Sequence, residues 1–448
     1  MNGARGRFSR SAALIVACLM WRSNVEAQTS LQIPLQFDFI NPGAKSLALG
    51  GAFAGLADDA TAAFANPAGL TQLGMSELSI ELRATRTSSL FLQRGRLSGT
   101  ITNEGTDTIQ GAVFGDSAGA HVGVGYFSLV YPHSSHRWVV AAYRHELARV
   151  DQTFFSEGVF QQDPSEFTSR RDTPQEGVRR VDITGYGVSG AYKLGQNVSV
   201  GAGLAAYTFS LDSVFRRFDV VGFLGPPNRS VEFGRSTQEG SDVGFAPTFG
   251  VMIDRGPARL GVVYRRGASF DFTTADGADP LRTAVFRVPH TLAFGLSVRL
   301  RPVLILSGEV TRIDYSRLVT DFVTDQARAT GRQASFGIDD GTEWHVGAQY
   351  AVRRQRGAPI RLRGGTWYDP DHSVHFAPVM TPTTVVDRLF DERLSVALSR
   401  GQGQVHATGG IGLTLRPRFE FNAGFDVTSK NRLFSTSFIV HLGQEAVP

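Results

Sequence analysis

Three short motifs in the sequence have residue types and spacings that could do chemistry. Gly115–Gly119, GDSAG, matches the G-x-S-x-G turn that presents the nucleophile of serine hydrolases. His133 and His136 are close in sequence, and Asp369–His375, DPDHSVH, combines carboxylates with imidazoles; both spacings suit a metal ion. These motifs predict activity only where the surrounding elements position them correctly.

The surroundings of these motifs favour plain loops. A nucleophile elbow requires a strand before the serine and a helix after it. Here a polar stretch precedes Gly115, and a Gly-rich alternating segment follows Gly119. Both histidine motifs lie among polar residues, which favours solvated loops over metal sites. We therefore expect no enzyme activity, no resident metal ion and no cofactor.

Strands dominate the chain, because apolar and polar residues alternate from Glu77 onward. Phe419–Val427, Thr291–Leu300 and Thr342–Val352 have the clearest alternation. Segments of about ten such residues are typical of barrels that span an outer membrane. No segment approaches the ~20 continuous apolar residues of a spanning helix. A soluble β-sandwich is the alternative interpretation of the same alternation.

The lengths of the connections favour the barrel over the sandwich. Short turns, such as Leu194–Asn197, alternate with long polar stretches, such as 92–118, 151–177 and 318–341. Short periplasmic turns and long outer loops produce this alternation. We predict an all-β fold, a transmembrane antiparallel β-barrel of about 14 strands. The candidates for its aromatic girdles are Tyr131, Tyr192, Tyr315, Tyr350 and Tyr368.

Residues 1–27 have the features of a secretory signal peptide. Three arginines precede an apolar run from Ser11 to Trp21, and Val25–Ala27 suits signal peptidase. Its removal takes away four Arg and one Glu, so the net charge falls from +4 to about +1 and gives no support to nucleic-acid binding. Cys18, the only cysteine, lies in this leader, in a setting that also resembles a lipoprotein box. We expect export to the outer membrane of a Gram-negative-type bacterium.

The segment Asn41–Gly74 is rich in Ala, Gly and Leu, a composition that nothing after it shares. Asp58 and Asp59 occupy N-cap positions for a helix over Ala60–Ala65. Pro67 ends that helix, because the residue before a proline avoids the α region. We predict a compact helical plug inside the barrel; an ordinary N-terminal helical hairpin is the alternative. The chain then divides into a signal peptide (1–27), a plug (28–74) and a barrel with long extracellular loops (75–448).

The spacing G-A-x-x-L-A-L-G-G-A-F-x-G-x-A-D-D-A-x-A-x-x-x-N-P-A-G-L in this segment resembles the N-terminal signature of the FadL-type outer-membrane transport family. Val288–Arg317, Glu343–Asp369 and the C-terminal hairpins resemble that family as well. The resemblance implies a 14-stranded barrel whose plug is a hatch. One departure is that the chain runs on past Leu442 as GQEAVP, where such barrels often end on an aromatic residue. The hatch signature comprises Asp58, Asp59, Asn66, Pro67 and Ala68.

Seven ionisable residues fall on the face of the strands that we predict to point into the lumen. On the lipid face each would cost roughly 2–4 kcal/mol near the membrane midplane, with Asp and Glu costing less. They form either a structural network that holds the plug or a set of direct ligand contacts, and the network is favoured. They are Glu309, His345, Arg361, Arg363, Glu420, Asp426 and His441.

The resemblance implies an outer-membrane channel for passive uptake of long-chain fatty acids or related hydrophobic molecules. Such a ligand would be captured by outer loops, pass to a pocket against the hatch, and leave sideways through a gap in the wall. Expected partners are this ligand, outer-membrane lipids, lipopolysaccharide and the barrel assembly machinery, without nucleic acid. A scaffold or shuttle for exported proteins remains an alternative, as does a barrel enzyme or adhesin using Ser117.

Overall fold

The computed structural model describes residues 39–98, 111–163, 168–171, 174–220, 227–276, 282–319, 334–378, 391, 395–396, 398–416 and 418–442. The expected signal peptide with Cys18, residues 28–38 of the plug and the tail after Leu442 lie outside the described residues.

The described residues are mainly β-strands. In chain order the strands are β1 (Ser76–Ser98), β2 (Val113–Pro132), β3 (Trp138–Ser156), β4 (Gly158–Asp163), β5 (Thr168–Arg171), β6 (Gln175–Lys193), β7 (Val198–Val220), β8 (Pro227–Arg255), β9 (Ala258–Arg265), β10 (Ser269–Asp276), β11 (Arg282–Arg287), β12 (Thr291–Arg301), β13 (Leu304–Ile313), β14 (Ala334–Gly337), β15 (Gly341–Val352), β16 (Ile360–Asp369), β17 (His375–Pro378), β18 (Gln404–Arg416), β19 (Phe419–Val427) and β20 (Asn431–Leu442).

The helices are short. Those whose bounds lie within the described residues are α1 (Ala44–Ala48), α2 (Ala62–Ala65) and the 3₁₀ helices Pro67–Gln72 and Tyr315–Val319. None of the helices in the described residues has the length and hydrophobicity to cross a membrane.

Fourteen of the strands close into one antiparallel barrel, which confirms the predicted fold. β20 returns to β1 with a continuous ladder from Ser76 opposite Leu442 to Thr87 opposite Asn431. Closure matters because an open sheet edge would leave backbone groups unpaired in lipid. The wall consists of β1, β2, β3, β6, β7, β8, β9, β12, β13, β15, β16, β18, β19 and β20.

The outer surface of the wall is apolar, and the inner surface is polar. Val122, Phe245 and Val346 are 77%, 65% and 60% exposed on the outside. Their neighbours along each strand point inward, as buried Glu309 and His345 do. A soluble sandwich buries its apolar face instead, so this inverted arrangement fits a wall in contact with lipid.

Three hairpins are longer than the sequence indicated. The expected loops 92–118, 151–177 and 213–239 are partly strand, since β1, β3 and β7 extend to Ser98, Ser156 and Val220. Beyond the membrane both faces of a strand meet water, so the apolar alternation disappears while the ladder continues. Cross-strand ion pairs support these extensions, for example Arg216 with Glu176 at 4.0 Å.

Residues 39–75 fold inside the barrel and are almost wholly buried. Eight wall glycines let the plug backbone lie directly against the strands, and we call them the glycine belt. A Cβ atom on any of them would lie less than 3 Å from a plug atom. The glycine belt consists of Gly201, Gly250, Gly261, Gly295, Gly347, Gly365, Gly410 and Gly424.

Candidate functional site

Two wall carboxylates bind the plug backbone from different sides of the barrel. Glu309 Oε2 on β13 accepts hydrogen bonds from the backbone N–H groups of Phe53 at 2.8 Å and Ala54 at 2.7 Å. Glu81 Oε2 on β1 accepts the N–H of Gly43 at 3.1 Å. Carboxylates form strong charge-assisted bonds with such donors. The short plug helices leave many backbone groups unpaired, and these carboxylates satisfy three of them.

His345 continues this wall-to-plug contact on β15. Its Nδ1 lies 2.7 Å from the carbonyl oxygen of Gly50, and its Nε2 lies 3.1 Å from Glu343. Glu343 also accepts a hydrogen bond from the Tyr315 hydroxyl at 3.1 Å. Tyr315 is therefore 1% exposed and faces the interior, so its assignment to an aromatic girdle was wrong. A 3₁₀ turn after β13 carries it inward.

The hatch-signature aspartates do not cap a helix. The helix is shorter than expected, and Thr61 occupies its N-cap position without a side-chain cap. Asp58 pairs with Lys45 of α1 at 2.6 Å, while Asp59 accepts the Thr61 N–H at 2.9 Å. Asp59 also lies 3.6 Å from Lys45. The two carboxylates thus join the two helical parts of the plug through one buried cation.

Asn66, Pro67 and Ala68 form the turn that leads toward β1. Asn66 caps the following 3₁₀ helix, because its Oδ1 accepts the N–H of Ala68 at 3.1 Å. Its Nδ2 donates to the carbonyl of Ala54 at 2.9 Å. Pro67 stands at the first helical position, where its missing N–H costs nothing. These contacts tie the end of the plug back to its middle.

The other predicted lumen residues form separate groups. Arg361 and Arg363 lie 3.4 Å and 3.8 Å from Glu420, so these three make one wall cluster. His441 pairs with Glu77 at 3.2 Å, near the end of the barrel where β1 begins. None of these contacts reaches the plug backbone. The seven predicted residues therefore share a face without forming one site.

The described residues enclose a cavity of about 130 Å³ against the plug, here called the plug cavity. Phe39 and Ile40 of the plug form part of its wall, together with Trp367 on β16. Asp426 lines it and accepts the indole N–H of Trp367 at 2.8 Å. Asp426 also binds Nδ1 of His406 at 2.8 Å. The cavity is thus partly apolar, with a polar cluster on one side.

The wall beside the plug cavity has a gap between β2 and β3. The ladder between these strands ends at Tyr126 and His145, although both strands continue. Further along, Ser117 Oγ donates to the carbonyl of Thr153 at 2.7 Å. Between these two contacts no backbone pairing joins the strands in the described residues. We call this interval, bounded by residues 118–125 and 146–152, the β2–β3 gap.

Side chains bridge the β2–β3 gap where the backbone does not. His121 Nε2 lies 3.4 Å from Glu146 Oε1, and Arg144 Nη1 donates a hydrogen bond to the carbonyl oxygen of Val124. A β-bulge at Leu147 re-aims β3 at this point. His121, Glu146 and Leu147 also line the plug cavity, so the cavity reaches the gap.

Solved structures of a FadL homologue and of two toluene transporters share this architecture. The chain superposes on a Pseudomonas aeruginosa FadL homologue with a TM-score of 0.57 at 14% identity, covering 92% of this chain and 100% of that one. The P. putida toluene transporter TodX gives 0.56 at 13% identity, over 91% and 100%. The Ralstonia pickettii toluene transporter TbuX gives 0.51 at 14%, over 91% and 100%. The chain has the FadL-type fold.

Sequence identity at this level establishes the FadL-type fold and nothing finer. No family model and no curated protein matches the sequence. The N-terminal spacing that resembles the FadL signature lies in the plug.

The three chemical motifs of the sequence lie outside the plug segment. Ser117 is a strand residue of β2 that bonds Thr153, with no helix after it. His133 stacks on Trp138 in a short turn, with ring centroids 4.3 Å apart. His372 pairs with Asp369 at 3.3 Å. Within the described residues, no three His, Cys, Asp or Glu side chains are grouped as a metal site would need.

His372 lies in the loop after β16 and lines the plug cavity. Burial disfavours its charged form, but the Asp369 carboxylate outweighs burial and raises the pKa of His372 to about 9. Because the pKa of His372 is higher in the folded protein than the unfolded value of ~6.5, protonated His372 stabilises the fold. This stabilisation is complete below pH ~6.5 and is lost as the pH rises through about 9.

We therefore expect the stability difference between the wild type and His372→Gln to shrink between pH 6.5 and 9.5. Thermal unfolding in detergent at a series of pH values measures it. The stacking of His372 on Tyr315 is independent of pH and would leave a constant remainder. A difference that stays flat over this range would contradict the assignment.

Sequence reasoning missed two residues of the site. Glu81 lies in SELSIELR, where Glu77, Ser79, Glu81 and Arg83 alternate with apolar residues, so its inward position could have been inferred. His406 follows exposed Val405 in the same alternating manner. What the pattern lacked was any sign that these residues meet the plug or the cavity.

Proposed function

We propose that this protein is an outer-membrane channel for hydrophobic molecules, which enter from outside, bind in the plug cavity and leave through the β2–β3 gap into the membrane. The continuity of the cavity with the gap carries the proposal. The toluene transporters TodX and TbuX share the fold and are consistent with a hydrophobic ligand. Long-chain fatty acids are the second ligand class to test.

The plug occupies the lumen, so the ligand needs a route other than an open aqueous path through the barrel. The plug fills the barrel through contacts with the glycine belt, Glu81 and Glu309. An apolar ligand gains about 25 cal/mol per Å² on leaving water. Passage from an apolar pocket to lipid through the wall avoids returning that ligand to water. Thus no energy source is needed when the ligand moves down its gradient.

The outer wall beside the gap suits such an exit. A shallow apolar groove there includes Ala120, Val122 and Phe434, and it shares Thr85 and His121 with the lining of the plug cavity. The paired strands β20, β1 and β2 lie between the groove and the cavity, so the groove receives a ligand that has already left through the β2–β3 gap. Residence in the outer membrane brings contact with lipids and lipopolysaccharide, and insertion requires the barrel assembly machinery.

Cross-linking the β2–β3 gap tests the proposal. A variant with His121→Cys and Glu146→Cys, closed by a short bifunctional methanethiosulfonate, should lose most uptake of radiolabelled toluene or oleate. Cells that lack their own channel of this kind and express the variant are the assay, and reduction of the cross-link should restore uptake. The mature chain has no native cysteine if the leader ends at Ala27, so the reagent meets only the introduced pair.

A second pair of introduced cysteines controls for effects of the cross-linking reaction itself. Thr184→Cys and Thr208→Cys lie opposite each other on β6 and β7, where the ladder is continuous, and cross-linking them should leave uptake unchanged. Uptake that persists when the β2–β3 gap is fully cross-linked would contradict the proposed lateral route. Equal uptake with and without the wild-type protein would overturn the channel itself, and a protein that co-purifies stably would then favour a scaffold role.

A further inference from the structure

One residue that lines the plug cavity has a buried nitrogen without a hydrogen-bond partner among the described residues. His406 is 4% exposed and lines the cavity. Its Nδ1 is held by Asp426 at 2.8 Å, and its ring stacks on Trp367 with centroids 3.7 Å apart. Its Nε2 is buried and makes no hydrogen bond within the described residues. Such a group is costly unless something satisfies it.

The stack and the carboxylate fix the orientation of this ring. Asp426 binds both Trp367 and His406, so neither ring can rotate without breaking a buried hydrogen bond. Because Nδ1 is engaged, Nε2 is the nitrogen left for a ligand. It accepts a hydrogen bond when the imidazole is neutral and donates one when the imidazole is charged.

The size and charge of the cavity limit the ligand. A volume of about 130 Å³ is close to that of an engineered cavity of ~150 Å³ that binds benzene, so one ring fits. Glu146, Glu343, Asp369 and Asp426 line the cavity together with Arg83, Arg86, Arg149 and Arg432, so the formal charges of these side chains balance and a neutral ligand suits the cavity. Among the arginines of the lining, Arg149 already pairs with Asp182.

We propose that the plug cavity selects single-ring molecules that carry a hydroxyl group, and that Nε2 of His406 binds that hydroxyl. The ring of the ligand packs against Phe39, Ile40 and Trp367. A hydroxyl both donates and accepts, so it satisfies Nε2 in either protonation state. A bare hydrocarbon of the same shape leaves the nitrogen unpaired. This inference rests on the proposed channel function and narrows its ligand class.

Binding of p-cresol and of toluene tests the inference, because the two differ by one hydroxyl. The probes are titrated calorimetrically into the mature protein in lipid nanodiscs, with protein-free nanodiscs as the blank. One good hydrogen bond predicts about tenfold tighter binding of p-cresol in the wild type. In His406→Phe, which keeps a ring on Trp367, the ratio of the two dissociation constants should fall to about one.

A second variant distinguishes the loss of the contact between His406 and the ligand from misfolding of the protein. His406→Phe leaves Asp426 with one partner fewer, so the double variant His406→Phe, Asp426→Asn removes the stranded charge as well. Both variants should retain the heat-modifiable gel mobility of a folded barrel. A preference for p-cresol that survives in either folded variant overturns the role of His406.

Different experimental results would overturn the hydroxyl selectivity and the channel function. Equal affinity of the wild-type protein for both probes, with uptake intact, overturns the hydroxyl selectivity alone. If neither probe binds and uptake is absent, the channel function fails with it.

Discussion

Replacing Gly365 by valine should destabilise the barrel and open a leak past the plug. A Cβ at this position would lie 2.6 Å from the backbone nitrogen of Gly50 and 2.6 Å from the carbonyl carbon of Leu49. Backbone atoms cannot rotate away as a side chain can, so the plug must shift. Overpacking of this kind costs roughly 1–3 kcal/mol, and displacement of the plug exposes a water path.

Gly364 provides a control on the same strand. A Cβ there would meet only the carbonyl oxygen of Thr408, at 3.9 Å, and it points to the outer face. Gly364→Val should therefore leave ion conductance in planar bilayers at the wild-type level, whereas Gly365→Val raises it and lowers the unfolding temperature. Equal conductance for the two variants would show that the glycine belt does not hold the plug.

The spanning strands could be predicted because lipid imposes one apolar face. Phe419–Val427 and most of Thr342–Val352 alternate between apolar and polar residues, and both form barrel strands. Beyond the bilayer that constraint disappears. The extension of β8 back to Pro227 is polar on both faces, so the same rule assigned it to a loop.

The plug contacts could be predicted only in part. Alternation placed Glu309 and His345 on the inward face, because a charge in lipid is expensive. It could not tell that Glu309 meets Phe53 and Ala54 of the plug while Glu420 meets other residues of the wall, since that depends on where a distant segment lies. A glycine in a strand likewise has many possible causes, and only the plug distinguishes Gly365 from Gly364.

The β2–β3 gap could not be predicted from local sequence. In the gap, the described residues of β2 and β3 make no backbone hydrogen bonds with each other. On their other sides β2 stays paired with β1, and β3 stays paired with β6. Residues 118–125 and 146–152 therefore look like any paired strands. The bulge at Leu147 shifts the period-two pattern of β3 by one position, and the sequence shows no other sign of it.

Replacing Glu309 by leucine should release the plug from β13. The substitution leaves the N–H groups of Phe53 and Ala54 buried without an acceptor. Each unsatisfied donor costs roughly 1–3 kcal/mol. Glu309→Gln should have a smaller effect, because its amide oxygen can still accept although the charge is gone.

Trypsin provides a direct measure of that release. Lys45 is the only basic residue between Gln28 and Leu82, and it is buried against Asp58 in the folded plug. Cleavage after Lys45, detected by mass spectrometry of the N-terminal peptide, should be slow in the wild type, faster in Glu309→Gln and fastest in Glu309→Leu.

Glu420→Gln is the matched control, because Glu420 is also a lumen carboxylate but bonds Arg361, Arg363 and Asn422 rather than the plug backbone. It should lower stability without exposing Lys45. Cleavage of Glu420→Gln as fast as that of Glu309→Leu would mean that general loosening of the barrel, and not the two N–H groups on Glu309, governs the plug. The contrast therefore separates a local anchor from the overall stability of the wall.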